Sequence, residues 1–142
     1  MPKVRHIAIA SDHPGKAADF FVEAFGFREV RRAGIDPRNP DIAGRPSAAA
    51  VTDGTINITF LKPAQDQTGV GLDFLGIHHF GIVVDDVDAW TGKLEALGAP
   101  CIAGKDDIPP GAHYEIKFRG PDGVVFDISD RPWPGTPPVE EG

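Results

Sequence analysis

Apolar and polar positions divide the chain into short periodic segments. Residues 4–10 alternate and are β-branched or small, which predicts a strand. Ser11 and Asp12 are good N-cap residues, with Pro14 tolerated in the first helical turn. Residues 13–25 place Ala17, Phe20, Phe21, Ala24 and Phe25 at helical spacing, and Gly26 stops the helix. Residues 27–32 read as a second strand. Residues 34–46 hold three prolines and read as a long loop, a candidate lid over a site. Residues 47–51 and 55–61 form a hairpin across Asp53-Gly54, the strongest short turn signal in the chain.

The same order then recurs. Residues 63–76 are polar and glycine-containing and read as a linker. Residues 78–84 are a strand, and Asp85 or Asp86 caps a helix reaching Leu97, with Val87, Trp90 and Leu94 on one face. Residues 100–103 are a short strand, and 104–112 a loop. Residues 113–119 and 124–129 make a hairpin across Pro121-Asp122-Gly123. The expected organisation is a first β-α-β-β-β module at 1–62, a linker at 63–76 and a second module at 77–130. A proline-rich tail follows at 131–142, extended or frayed, which Trp133 could pin to the body or to another subunit.

The repeat is also visible in residue identities. His6 matches His79 and Asp12 matches Asp85 at one offset. Val22-Glu-Ala-Phe-Gly26 matches Leu94-Glu-Ala-Leu-Gly98 at an offset shifted by one, and both modules end in a hairpin containing Asp-Gly. Pseudo-twofold symmetry between such modules would bring His6 and His79 to one place.

Composition narrows the class. The 142 residues, 41% hydrophobic and 25% charged, suit one soluble domain with a real core. A net charge of -7 argues against nucleic acid or an anionic membrane as partner. The single Cys101 fits a reducing compartment, and no apolar run reads as a signal peptide or a membrane span, so a cytoplasmic location is expected. Exposed sheet edges and Trp133 suggest a homodimer.

Strand alternation adds chemistry. His6 shares a face with Ala8 and Ala10, and His79 with Gly81 and Val83, while Ile7, Ile9, Phe80 and Ile82 face the other way. Small side chains beside a histidine leave room for a ligand cavity. His78 is expected to point away from His79 and to be structural. Arg28, Arg31 and Arg32 could recognise an anionic substrate, although cations on an edge strand also guard against aggregation.

The tandem β-α-β-β-β order, with histidine opening the first strand of each module, resembles the vicinal oxygen chelate superfamily. That superfamily includes glyoxalase I, methylmalonyl-CoA epimerase, extradiol dioxygenases, and the fosfomycin and bleomycin resistance proteins. The strings that carry the likeness are His6-Ile-Ala-Ile-Ala, Gly76-Ile-His-His-Phe-Gly-Ile-Val-Val-Asp-Asp86 and Gly120-Pro-Asp-Gly-Val-Val-Phe-Asp-Ile128. The resemblance implies an α+β fold whose sheets curl into an incomplete barrel around a divalent metal. It also implies ligands from the first and last strand of each module.

Those positions fall on His6, His79 and Asp127. The fourth falls on Thr59, or on Asn57 two residues earlier, where the family usually carries glutamate. Two imidazoles and a carboxylate with open positions suit Fe, Mn, Co, Ni or Zn as the divalent ion. Asp127 could alternatively form a plain salt bridge with Lys117 or Arg119. For proton transfer the candidates are His113 and Glu115. The resemblance therefore implies a metal-dependent lyase, isomerase or dioxygenase that holds a small-molecule substrate through vicinal oxygens. The alternative is a metal-free small-molecule binding or sequestering protein of the resistance type.

Overall fold

The computed structural model describes residues 1–39, 42–104 and 115–138. The first module contains β1 (Lys3–Ala10), α1 (Pro14–Phe25), β2 (Arg28–Ile35), β3 (Ala43–Thr52) and β4 (Asn57–Lys62). The second contains β5 (Gly76–Val83), α2 (Val87–Ala96), β6 (Cys101–Ala103), β7 (Ile116–Arg119) and β8 (Val125–Ser129). The β-α-β-β-β order thus occurs twice, as the alternation and turn signals predict.

All eight strands join one mixed sheet in the order β2-β3-β4-β1-β5-β8-β7-β6. Exchanging the modules reverses this order onto itself, which is the expected pseudo-twofold. The two histidine strands, β1 and β5, meet antiparallel at the centre. Each then pairs in parallel with the last strand of its own module, β1 with β4 and β5 with β8. The sheet stays open, with β2 and β6 as its edges. No helix among the described residues is long and apolar enough to cross a membrane.

The period-2 pattern assigns the two sheet faces. On the outer face of module one, Ala49, Val51 and Phe60 pack with Ile9 and Ile58 against Ala18, Phe21 and Val22 of α1. On the outer face of module two, Ile116, Phe118 and Ile128 pack with Val84, Val87, Trp90 and Leu94 around α2. Bulky residues therefore face the helices, leaving the small residues beside the histidines on the inner face. The stripe on α1 is narrower than its spacing suggests: Phe21 is inside, whereas Phe20 and Phe25 are exposed.

Several boundaries differ from the sequence expectation. The loop expected at 34–46 shrinks, because β2 runs to Ile35 and β3 starts at Ala43. Pro46 is accommodated because neither ladder includes it: β4 pairs only from Ser47 onward, and the β2–β3 register shifts between Ala48 and Ala43. Helix α1 starts after His13, which makes no side-chain cap; Ser11 instead accepts the His13 backbone N–H at 3.1 Å. At α2, Asp86 is the N-cap and accepts the Ala89 N–H at 3.1 Å, while Asp85 accepts Trp90 Nε1 at 2.9 Å. The Asp53-Gly54 turn forms as expected, with Gly54 at φ 99° and Asp53 Oδ1 accepting from the Thr55 and Ile56 backbones.

Candidate metal centre

Sheet register builds the site. A single row across the inner face runs Thr52–Asn57–His6–Gly81–Asp127–Lys117, each residue opposite the next on the neighbouring strand. The adjacent row runs Arg31–Ala50–Thr59–Ala8–His79. Within each module the first strand meets the last one two residues beyond its histidine, Ala8 opposite Thr59 and Gly81 opposite Asp127. Thr59 is therefore the symmetry-equivalent of Asp127, and Asn57 lies opposite His6 itself.

The three expected ligands converge. His79 Nε2 lies 2.9 Å from Asp127 Oδ2, and His6 Nε2 lies 4.0 Å from the same oxygen. One ligand atom from each of His6, His79 and Asp127 falls within 4.8 Å of the others, and all three residues are buried. Behind each imidazole stands a partner. His6 Nδ1 meets Asn57 Oδ1 at 2.9 Å, which also accepts from Thr59 Oγ1 at 2.7 Å. His79 Nδ1 meets His78 Nδ1 at 2.7 Å, and His78 Nε2 meets Thr68 Oγ1 at 3.0 Å. Both rings are thus held at Nδ1 with Nε2 aimed at Asp127, the arrangement in which outer partners fix a ligand's tautomer and direction.

The role of His78 corrects the sequence reading. Strict alternation would turn it away from His79. The β1–β5 register slips here, with Ala8 opposite His79 but Ile9 opposite Ile77. His78 is the extra residue of a bulge, and a bulge re-aims its side chain. Burial, followed by the neighbouring His79 and Lys117 charges, pushes the His78 pKa down to about 4. Burial likewise lowers the His6 pKa, against the opposing pull of Asp127 and Glu115. The His6 ring therefore favours the neutral form that a metal ligand requires.

Asp127 is fully buried, and its two oxygens are used differently. Oδ2 faces the histidines, and Oδ1 lies 3.1 Å from Lys117 Nζ. Burial alone would raise the Asp127 pKa, but the Lys117 ammonium and His79 outweigh it and hold the group at about 2. Burial also works against the Lys117 charge, yet Asp127 and Glu115 raise its pKa. Neither contact to Asp127 has the alignment of a full hydrogen bond, so both carboxylate oxygens are buried without a well-directed donor. A buried carboxylate in that state, beside two aimed imidazoles, fits a divalent ion bound by His6, His79 and Asp127. Lys117 sits on the other carboxylate oxygen and is compatible with that ion.

Glu115, one of the two expected acid/base groups, is beside the site. Its Oε2 accepts Trp133 Nε1 at 3.2 Å, and its Oε1 lies 3.9 Å from Lys117 Nζ. His113, the other, lies outside the described residues.

The proline-rich tail, expected to be extended or frayed, is a cover. The Trp133 ring stacks on His6 at 4.9 Å and 5° and is only 4% exposed. Asn57 Nδ2 donates to Pro134 O at 3.0 Å, and Thr52 Oγ1 to Gly135 O at 3.1 Å. Gly81 makes room for this cover, because a Cβ there would sit 2.7 Å from the Trp133 ring and 2.9 Å from His6 Cβ. The stretch expected as a plain linker also joins the site. Gln65 and Gln67 line the cavity, and Thr68 anchors His78.

A cavity of about 480 Å³ opens beside His6 and His79. Its module-two side presents Glu115 and Lys117, whereas its module-one side presents Ala8, Ala48, Ala50 and Leu61. The three arginines of β2 separate. Arg31 lines the cavity, and Arg32 is bound to Asp19 at 2.7 Å and to Glu29. Lys117 was foreseen only as a salt-bridge partner. Counting the hairpin back from Pro121-Asp122-Gly123 places it opposite Asp127 on the ligand face.

Residues 3–128 match the family described as the Glyoxalase/Bleomycin resistance protein/Dioxygenase superfamily. A search of curated protein sequences found no match. Among solved structures, methylmalonyl-CoA epimerase from Mycobacterium tuberculosis superposes with a TM-score of 0.65 at 20% identity, over 92% of this chain and 88% of that one. Streptomyces coelicolor methylmalonyl-CoA epimerase, in complex with 2-nitronate-propionyl-CoA, gives 0.64 at 18% identity, over 89% and 94%. A hypothetical protein from Bacillus halodurans gives 0.64 at 21% identity, over 89% and 92%. At these identities the structures share the fold, and the sequence match carries the family. With its tandem modules, central histidine strands and match across 3–128, the chain belongs to the Glyoxalase/Bleomycin resistance protein/Dioxygenase superfamily.

Proposed function

We propose that this chain is a metal-dependent enzyme that binds a small molecule through two vicinal oxygens and moves a proton beside them, as a lyase or isomerase does. The supporting observation is the convergence of His6 Nε2, His79 Nε2 and Asp127 Oδ2, with each ring held from behind at Nδ1. A divalent ion there supplies Lewis acidity toward neighbouring substrate oxygens. His6, His79 and Asp127 hold it, and Asn57 and His78 keep the two rings aimed. Lys117 Nζ donates toward negative charge developing on the substrate. Glu115 Oε1, the oxygen not bonded to Trp133, is placed to take or return a proton. Trp133 and Pro134 keep water from that end of the cavity.

Two other readings each have a specific observation. Thr59 replaces the fourth carboxylate, which leaves more open positions and suits the dioxygenase branch. Lys117 can neutralise Asp127 without a metal, which suits a binding or sequestering protein. Elemental analysis of protein purified without chelator separates the last reading. Near-stoichiometric metal in the wild type, reduced at least about a hundredfold in affinity by His6→Ala and by His79→Ala, is the expected result. Absence of metal, together with no spectral change on adding Co(II), overturns the enzyme. Solvent deuterium exchange into 2-oxo acids and hemithioacetals, set against oxygen uptake with catechols, then divides proton transfer from dioxygenation.

A further inference from the structure

The cavity is unlike at its two ends. At the module-two end stand the three converging ligands, with Lys117 and Glu115 beside them. At the other end stands Arg31 on β2. Between them the row that leads from Arg31 to His79 is made of the small residues Ala50, Thr59 and Ala8, with Gln65 and Gln67 also lining the cavity. Ala48, Leu61 and Pro63 add apolar surface. A second cavity of about 220 Å³ is also lined by Arg31, with Lys62, and has no acidic residue among the described residues of its lining.

Arg31 differs from Arg32, Arg38 and Arg45 in lacking an anionic partner among the described residues, and from Arg28, which lacks one too, in lining the cavity. Arg32 is held by Asp19 and Glu29. Arg38 is held by Asp36. Arg45 donates to Pro63 O and lies 3.8 Å from Asp73. Among the described residues Arg31 has no such partner, in a chain whose net charge is -7. A guanidinium left over in so acidic a protein, lining two cavities, matches a planar oxyanion that it can grip with two N–H groups.

We infer that Arg31 is a second recognition point for the substrate, an oxyanion subsite, so that the substrate carries vicinal oxygens at one end and a carboxylate or phosphate at the other, joined by an apolar body. This rests on the metal-dependent reading for the first end only. Arg31 and His79 are four strand steps apart, roughly 19 Å along the sheet at ~4.8 Å per strand. The curl of the sheet and the reach of the arginine shorten that gap. The linking body is therefore several carbons long, and the alanines leave it room.

The test uses the full chain, once loaded with Co(II) and once metal-free. Calorimetry compares ω-carboxyl 2-oxo acids, from 2-oxoglutarate to 2-oxosebacate, with the matching 2-oxo monocarboxylates. A parallel series bearing ω-phosphonates identifies which anion the subsite prefers. The expected result is tighter binding of an ω-anionic ligand by about tenfold or more, with a length optimum beyond 2-oxoglutarate. Arg31→Gln should remove that advantage, and Arg28→Gln, on the same strand outside the cavity, should leave it intact. Equal binding of the paired ligands by the wild type overturns the inference, as does an advantage that survives Arg31→Gln or a failure of every ligand to bind. The Co(II) spectrum reports the metal separately. A protein that takes no Co(II) yet keeps an Arg31-dependent anion preference retains the subsite and loses the metal reading.

Discussion

Module one places Ala8, Thr59 and Ala50 side by side across three strands, and module two places Gly81, Asp127 and Lys117 at the equivalent points. The backbone pairing is the same and the chemistry opposite. In module one, three small or neutral residues make cavity wall. In module two, a buried carboxylate faces two imidazoles with one oxygen and an ammonium with the other. A duplicated scaffold can divide labour in this way because strand register sets where side chains stand, whereas each identity is free to diverge. The charged half also carries constraints that the neutral half escapes. Asp127 and Lys117 cannot be buried separately without a large desolvation cost.

The largest break in this comparison is Asp127→Asn. It should abolish metal binding and destabilise the fold by about 3 kcal/mol in urea titrations, because buried Lys117 keeps only the more distant Glu115 as counter-charge. The combined Asp127→Asn, Lys117→Met chain should recover much of that stability and none of the metal. Stability unaltered by Asp127→Asn would show that Lys117 finds another partner.

Next in size is Gly81→Ala. The new Cβ meets Trp133 and His6, so a loss of about 1–3 kcal/mol and a red-shifted tryptophan emission are expected. Normal stability with unshifted emission would mean that the tail packs elsewhere in solution. Thr59→Glu sharpens the comparison from the other side by restoring the carboxylate that symmetry would place there. Co(II) affinity should rise about tenfold or more in competition with a chelator, and an unchanged affinity would show that position 59 does not reach the ion.

The smallest effect concerns pH. The His78 pKa is lowered to about 4 from 6.5, so the unfolded chain takes up its proton first as the solution is acidified. Stability of the metal-free protein should therefore fall between pH 6.5 and 4, by about 1 kcal/mol once the ring's exposed half is discounted. Asp127 adds a lower window. Its contribution is complete above 3.8 and is lost as pH falls through about 2. His78→Gln should make the upper window shallower, leaving the part that the lowered His6 pKa contributes, and keep the lower one.

Much of the scaffold was legible in the sequence, because alternation, helical spacing and turn residues are local signals. His6 and His79 stood on small-residue faces, and the resemblance carried Asp127 to the same site. Other features depended on contacts between distant segments. Alternation assigned His78 to the wrong face, because a bulge is a property of two paired strands and leaves no mark in one. Composition marks residues 131–142 as tail, and only the folded chain shows Trp133 covering His6. The proline at 46 argues for loop, yet it lies within β3 where the ladder is irregular and needs no N–H from it.

By itself the sequence determined the two modules and the strand that carries each histidine. These follow from residue identity and short-range periodicity, which no tertiary contact can alter. The tertiary structure decided that Lys117 meets Asp127, that His78 supports His79, that Trp133 covers the site and that Arg31 stands at the far end of the cavity. Register, bulging and chain return bring those groups together, and each is set by the free energy of packing the whole sheet rather than by any one segment.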